Sequence, residues 1–347
     1  MKRKFDARLL ELIRDFTTVF IPSERGGSMH TRRSYMNGLN EFLNYLTERN
    51  DIKLIEVTMP MISRESVSGF LDHLERSRGC SVSTRNQRLA CIKSFLNYAA
   101  ERDVTAAAIR AGLCSLHKKK TDGRVVGYMS EAAVSSFLRE PGVGTGKALR
   151  DKTFLSLMYD TAARVSEVAG IRLKDLHLDE CPKVVLHGKG GRDRIAPITA
   201  SLSLLKRYLE KFHDGIPLSS ERFLFFTKRR GIEDAVTTDN IRKMIIAYTA
   251  AARKVNPEIP ERVHPHLFRH SRAMHLLRSG ADLAIISELL GHKNYETTLI
   301  YAQADSEMMR KAMDNTCDPE SPLKPMLGNR RYRLDDEDTI RRLYGLK

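Results

Sequence analysis

Residues 265–301 read PHLFRHSRAMHLLRSGADLAIISELLGHKNYETTLIY, and their pattern decides how the second half of the chain folds. Pro265 suits the first turn of a helix, where a missing N–H costs nothing. That helix should run to about Ser279, with Gly280 as its stop. His266 and Arg269 are three apart and therefore share a face. Asp282 can cap the following helix, whose apolar side is Leu283, Ile286, Leu289 and Leu290. Gly291 ends it, leaving His292 just past the terminus. Tyr301 follows nine residues later, on another short helix.

Working toward the N-terminus, Val184–His187 and Ile195–Ile198 flank Gly188-Lys189-Gly190-Gly191-Arg192-Asp193-Arg194. Two β-branched runs around a glycine-rich turn predict a hairpin with Lys189 at its tip. Thr161-Ala162-Ala163-Arg164-Val165-Ser166-Glu167 falls at a junction of two helices, and Ser130 caps the start of this half. Residues 118–127, with three lysines and turn residues, read as a linker.

Before the linker, residues 6–116 read as helix after helix. Leu9, Leu10, Leu12, Ile13 and Phe16 recur at helical spacing, then residues 22–28 form a polar break. Thr31–Arg49 carries Tyr35, Leu39, Phe42, Leu43 and Leu46 on one face. Glu65–Arg78 buries Val67, Phe70, Leu71 and Leu74, and Gly79 stops it. Ser83 or Thr84 caps a helix that reaches about Ala100, with Leu89, Ile92, Phe95 and Leu96 inward. Arg85, Arg88 and Lys93 lie away from most of that face, on an outer basic surface suited to a polyanion. The expected organisation is a helical domain over 1–117, a linker over 118–127, a mostly helical domain with a small sheet over 128–316, and a tail over 317–347. Prolines 319, 322 and 325 keep the start of that tail extended, and residues 335–344 suggest a short helix.

The formal net charge is +15. Residues 1–120 carry an excess of eight positive charges and the remainder an excess of seven. A basic balance spread over both halves fits a polyanionic partner along the whole chain. No run approaches the ~18 apolar residues of a membrane helix, and no secretory signal opens the chain, so a cytoplasmic protein is expected. Five dispersed cysteines, none in a CxxC, argue against disulfides and a zinc site; reduced packing residues are expected instead.

Five segments carry residues suited to one phosphate: Arg164 with Glu167, Lys189, His266-Leu267-Phe268-Arg269-His270, Leu290-Gly291-His292, and Tyr301. Singly, each has an ordinary explanation. Arg164 and Glu167 could be a helix ion pair, and the histidines at 264, 266, 270 and 275 lack the carboxylate or thiol partners of a metal site. Together and in this order, they resemble the tyrosine recombinase, or phage integrase, family. The resemblance spans roughly residues 10–305 and extends to the helical domain, which is similar to that family's core-binding, SAM-like domain. Phe268 stands where the family usually has leucine, and Arg272 where it has a small residue; Arg272 adds a charge beside the site and is a candidate DNA contact.

What the resemblance implies is a two-domain, mainly α protein closing as a C-shaped clamp on duplex DNA and cutting it with Tyr301. Arg164 and Arg269 would grip the two non-bridging phosphate oxygens, a planar edge that guanidinium matches. A phenol of pKa about 10 is roughly one part in a thousand ionised at neutral pH, so it needs a base or a cationic surround. His266 is the expected base, Lys189 the acid for the leaving 5′-oxygen, and His292 a donor to the phosphate. Glu167 would hold the cations in place. The phosphotyrosine keeps the energy of the cut bond, so no cofactor is expected. Expected partners are double-stranded DNA with inverted-repeat core sites and three further copies in a tetramer on paired sites, acting at the nucleoid. The tail could dock on its own domain or, as the resemblance favours, on a neighbouring subunit.

Within this chemistry the alternatives are an integrase of a mobile element, an Xer-type resolver of DNA dimers and a relaxing type IB topoisomerase. A different class is a DNA-binding protein of the same fold that has lost catalysis.

Overall fold

The computed structural model describes residues 7–23, 29–121, 127–188, 191–292 and 294–302. The chain divides into two compact units, Met1–Arg124 and Val125–Lys347. Among the described residues, no helix is long and apolar enough to cross a membrane.

The first unit is all helical. It comprises α1 (Arg8–Asp15), a π-turn at Phe16–Phe20, α2 (Ile21–Ser23), α3 (Met29–Asn50), α4 (Arg64–Arg76), α5 (Val82–Ala100) and α6 (Val104–Gly112). One core joins them: Leu9, Leu12 and Phe16 meet Leu39, Phe42, Phe70, Leu74, Ile92 and Phe95. These are the residues the 3.6-residue periodicity selects. Ser63 caps α4 by accepting from the Ser66 N–H at 3.1 Å. Ser81 caps α5, accepting from Thr84 N–H at 3.3 Å, so the cap falls two residues before the earlier of the two expected positions. Several nearby hydroxyls could serve, and the extended backbone at Ser81 (φ −65°, ψ 153°) chooses among them. Of the four described cysteines only Cys91 is buried; Cys114 and Cys181 are exposed, unlike the packing residues expected.

The second unit opens with α7 (Glu131–Arg139), capped by Ser130, then α8 (Gly146–Asp160) and the short α9 (Val165–Ala169). A three-stranded antiparallel sheet follows, β1 (Leu176–His177), β2 (Lys183–Gly188) and β3 (Arg192–Pro197), in the order β1-β2-β3. The hairpin register pairs Val185 with Ile195 and Leu186 with Arg194. Helix α10 (Leu202–Phe212) leads to a second hairpin, β4 (Phe226–Arg229) with β5 (Ile232–Ala235). Its turn, Arg230-Gly231, has both φ angles positive, the geometry of a tight hairpin turn. Charged residues around it hid this hairpin from the periodicity argument.

Helices α11 (Thr238–Val255), α12 (Pro265–Arg278), α13 (Leu283–Leu290) and α14 (Glu296–Ala302) complete the described chain. The main core packs Phe154, Leu157, Val184, Leu186, Phe225 and Phe268. A smaller cluster of Ala162, Met274, Leu277, Ile286, Leu290 and Tyr301 ties α12, α13 and α14 to the turn before α9. The tail over 317–347 lies outside the described residues.

Candidate active site

The junction of α8 and α9 is a tight reversal. Ala162 adopts φ 49°, a left-handed conformation that costs a non-glycine residue about 1–2 kcal/mol. The next turn places Arg164 at the N-cap of α9 in an extended conformation. Glu167, at the third helical position, folds back: its Oε2 accepts from Arg164 N–H at 2.9 Å and its Oε1 from Arg164 Nη1 at 2.6 Å. Arg194 of β3 donates Nη2 to Oε2 of the same carboxylate at 2.8 Å. Burial alone would raise the Glu167 pKa, but Arg194 and Arg164 together hold it below the usual carboxylate range.

Arg269 projects from the first turns of α12 and is 3% exposed. Nη1 donates to the Ala162 carbonyl at 3.0 Å, and Nη2 donates to the Leu290 carbonyl at the end of α13. These bonds use two of its five N–H donors and fix the guanidinium plane. Burial, then the charges of Arg164 and Arg194, push its pKa down to about 9; it stays cationic at neutral pH. Three arginines therefore face one carboxylate. The surplus of buried positive charge is what an anion would relieve.

The Tyr301 ring sits in the smaller apolar cluster, 1% exposed. Its hydroxyl meets Nδ1 of His270 at 2.7 Å. Burial raises the phenol pKa, and Arg269 opposes that rise. His270 is pushed down to about 4 by burial and by the neighbouring His266 and His264, so the imidazole is neutral and the phenol keeps its proton. His292 is likewise lowered to about 4, by burial and then Arg269 and Arg164. Its Nδ1 shares a 2.9 Å hydrogen bond with the buried hydroxyl of Thr298.

Gly291 makes this placement possible. It takes the left-handed αL conformation (φ 60°, ψ 46°) at the end of α13. A Cβ there would lie 2.8 Å from Cδ of Arg194. A side chain there would be strained by the dihedral and would force Arg194 to shift.

The fold thus brings Arg164, Arg269, His292 and Tyr301 together. His266 is an exposed residue of α12 whose ring lies 6.5 Å from that of His270. Burial and then Arg269 lower its pKa. Among the described residues the phenol's hydrogen-bond partner is His270, where His266 was the expected base. Lys189 lies outside the described residues; the last described pair below it is Gly188 with Arg192. Among the described residues no group of three or more His, Cys, Asp or Glu is arranged to hold a metal ion.

The cations expected on the outer surface of α5 are engaged within the first unit. Arg85 is 7% exposed; Nε lies 3.4 Å from Glu75, and Nη1 donates to Asn86 Oδ1. Arg88 forks onto Glu41 with bonds of 2.8 and 3.2 Å. Lys93 Nζ donates to the Leu116 carbonyl at 2.6 Å. Each cation finds an acceptor far along the sequence, which helical position alone does not reveal. Arg272 leans on Asp160 at 3.7 Å and over the Tyr159 ring. Arg194 and His270 both stand in stretches quoted from the sequence, but their roles come from contacts 27 and 31 residues away.

Residues 128–308 match the phage integrase family, and residues 16–103 match the phage integrase N-terminal SAM-like domain. The chain is 31% identical over 301 residues to tyrosine recombinase XerC of Myxococcus xanthus, covering 85% of this chain and 94% of that protein. Its fold is similar to that of the XerH site-specific recombinase bound to palindromic difH substrate in a post-cleavage complex. That match has a TM-score of 0.65 at 20% identity and covers 84% of this chain and 81% of the other. A third similarity is to the Tn1549 transposon integrase in complex with transposon right end DNA, with TM-score 0.62, 18% identity and coverage of 89% and 99%.

Proposed function

The chain belongs to the phage integrase family, and we propose that it works there as a site-specific tyrosine recombinase whose nucleophile is Tyr301. It is a DNA breaking and rejoining enzyme. The observation that carries the residue assignment is the clustering of Arg164, Arg269 and His292 with one carboxylate among three arginines, and of Arg269 with the Tyr301 phenol.

In the proposed step the Tyr301 oxygen attacks the scissile phosphorus. Arg164 and Arg269 hold the non-bridging oxygens, and His292 donates to the phosphate as charge builds. The bond to the 5′-oxygen breaks, and Lys189 gives that oxygen its proton. The products are a 3′-phosphotyrosine and a free 5′-hydroxyl, and the reverse attack rejoins the strand. The phenol's proton passes to an imidazole. His270 is already within reach, and His266 takes that role if α14 moves as DNA binds. At 1% exposure the phenol cannot meet a phosphate without such a movement.

The substrate is duplex DNA. By analogy with the palindromic site in the XerH complex, the target is an inverted repeat. Strand exchange then takes four copies of the chain on two paired sites, in the cytoplasm at the nucleoid. Relatives include both Xer recombinases and a transposon integrase, so resolution of DNA dimers stands beside integration as the biological outcome. Residues 317–347 would dock on a neighbouring subunit. Deleting 318–347 should spare single-site binding and impair cooperative assembly; unimpaired strand exchange would refute the docking.

A nicked suicide duplex tests the central assignment. The wild-type chain should become covalently attached through Tyr301, and Tyr301→Phe should bind equally and form no adduct. An adduct that persists in Tyr301→Phe, or maps to Tyr295, refutes it.

A further inference from the structure

Arg194 belongs to β3, opposite Leu186, yet its guanidinium turns inward. The side chain is 10% exposed, against 34% for Arg164. Three elements converge on it. Nη2 holds Oε2 of Glu167, the carboxylate whose Oε1 holds Arg164. Nη1 donates to the Leu289 carbonyl near the end of α13. Its methylenes cross Gly291 so closely that a Cβ there would force them aside.

A buried guanidinium is a poor way to stabilise a fold. Desolvation is costly, and an apolar side chain of similar length fills such a space as well or better. Among the described residues its Nε is buried without a hydrogen-bond partner. What an apolar side chain cannot do is hold Glu167 and the α13 terminus at once. Without Nη2, Oε2 of Glu167 would keep only the Arg164 N–H and could turn its other lone pair to the Arg164 guanidinium, closing on it as a bidentate pair. That would draw Arg164 off the phosphate and further offset its charge. Both Nη atoms of Arg194 are turned onto Glu167 and the Leu289 carbonyl, so its effect on cleavage is taken to pass through these partners.

We propose that Arg194 is a positioning residue for DNA cleavage. Through Glu167 it sets the orientation in which Arg164 is presented to the scissile phosphate, and through the Leu289 carbonyl and Gly291 it sets the turn that carries His292. This rests on the phosphodiester chemistry proposed above.

The test is a double-mutant cycle on the full chain, read by single-turnover cleavage of a suicide duplex, with DNA binding and thermal unfolding measured alongside. Arg194→Lys should fold and bind DNA like the parent and cleave about ten- to a hundredfold more slowly. In an Arg164→Lys background the same change should cost less than about threefold, because the residue it acts through is already impaired. Parental cleavage by Arg194→Lys, or losses that multiply in the double variant, overturns the proposal. If Arg194→Lys does not fold, Arg194→Gln replaces it with the same expected profile. Failure of both to fold would assign Arg194 to stability and equally overturn it. The parent's adduct is the separate control: its absence overturns the nucleophile assignment, whereas its presence with multiplicative losses overturns only the role given to Arg194.

Discussion

The Tyr301 hydroxyl and Nδ1 of His270 lie 2.7 Å apart, joining α14 to the middle of α12 across 31 residues. The imidazole is neutral and the phenol protonated, so the bond needs no charge on either partner. Removing the imidazole strands a buried hydroxyl, at about 1–2 kcal/mol. His270→Leu should therefore raise amide hydrogen exchange in 296–302 roughly five- to thirtyfold. Tyr301→Phe should do much the same, and the double variant little more. Unchanged exchange in both would show that the bond does not hold α14.

Arg269 is fixed by two carbonyls, Ala162 and Leu290, which set the plane of its fork. Lysine keeps a charge but loses that plane and the bidentate grip. Arg269→Lys should slow single-turnover cleavage at least about a hundredfold, or roughly 3 kcal/mol, with DNA affinity little changed. Normal cleavage by this variant would dismantle the phosphate clamp.

Acid should destabilise the second unit. His270 and His292 fold with pKa values of about 4, below the ~6.5 of an unfolded histidine. As pH falls, the unfolded chain takes up protons first. Stability is then full above about 6.5 and declines toward 4, by up to about 1.4 kcal/mol per pH unit per group. His187 runs the other way, since Asp193 and Asp175 raise its pKa. Its contribution is present below ~6.5 and lost as pH rises through the raised value. At 50% side-chain exposure that contribution is screened and small. Urea midpoints at pH 5 and 7.5 should show the protein weaker at pH 5; equal midpoints would contradict this.

Gly291 carries two constraints, φ 60° and the approach of Arg194. Gly291→Ala should cost about 1–2 kcal/mol from the dihedral alone, and displaced Arg194 should slow cleavage as well. A denaturant series and the suicide assay measure both; an alanine tolerated in both would mean the turn is softer than its geometry indicates.

Arg88 is held by Glu41 on α3 and Arg85 lies beside Glu75 on α4. Arg88→Met should lower stability by about 1–2 kcal/mol, since it leaves Glu41 half-buried and unpaired. It should leave the salt dependence of DNA binding unchanged, because a side chain spent on a carboxylate releases no counterion from phosphate. A slope reduced by about one would restore Arg88 as a DNA contact.

The sequence by itself determined most of the elements that carry the site and the inventory of reactive groups, though not the charged β4–β5 hairpin. Periodicity chose the buried faces of α3 and α4. Asp282 and Gly291 bracketed α13, and the glycine-rich turn between Val184 and Ile198 announced the main hairpin. These are local matters, settled by dihedral preference, capping and the spacing of apolar side chains within a turn or two. Partnership was decided only by tertiary structure. Which imidazole meets the phenol, why Glu167 has a second arginine, and where Arg85, Arg88 and Lys93 find acceptors all depend on how separate elements pack. A cation on a helix reads as surface because water is its default partner. Only the folded chain reveals a carboxylate, a carbonyl or a phenol brought in from another helix to replace that water.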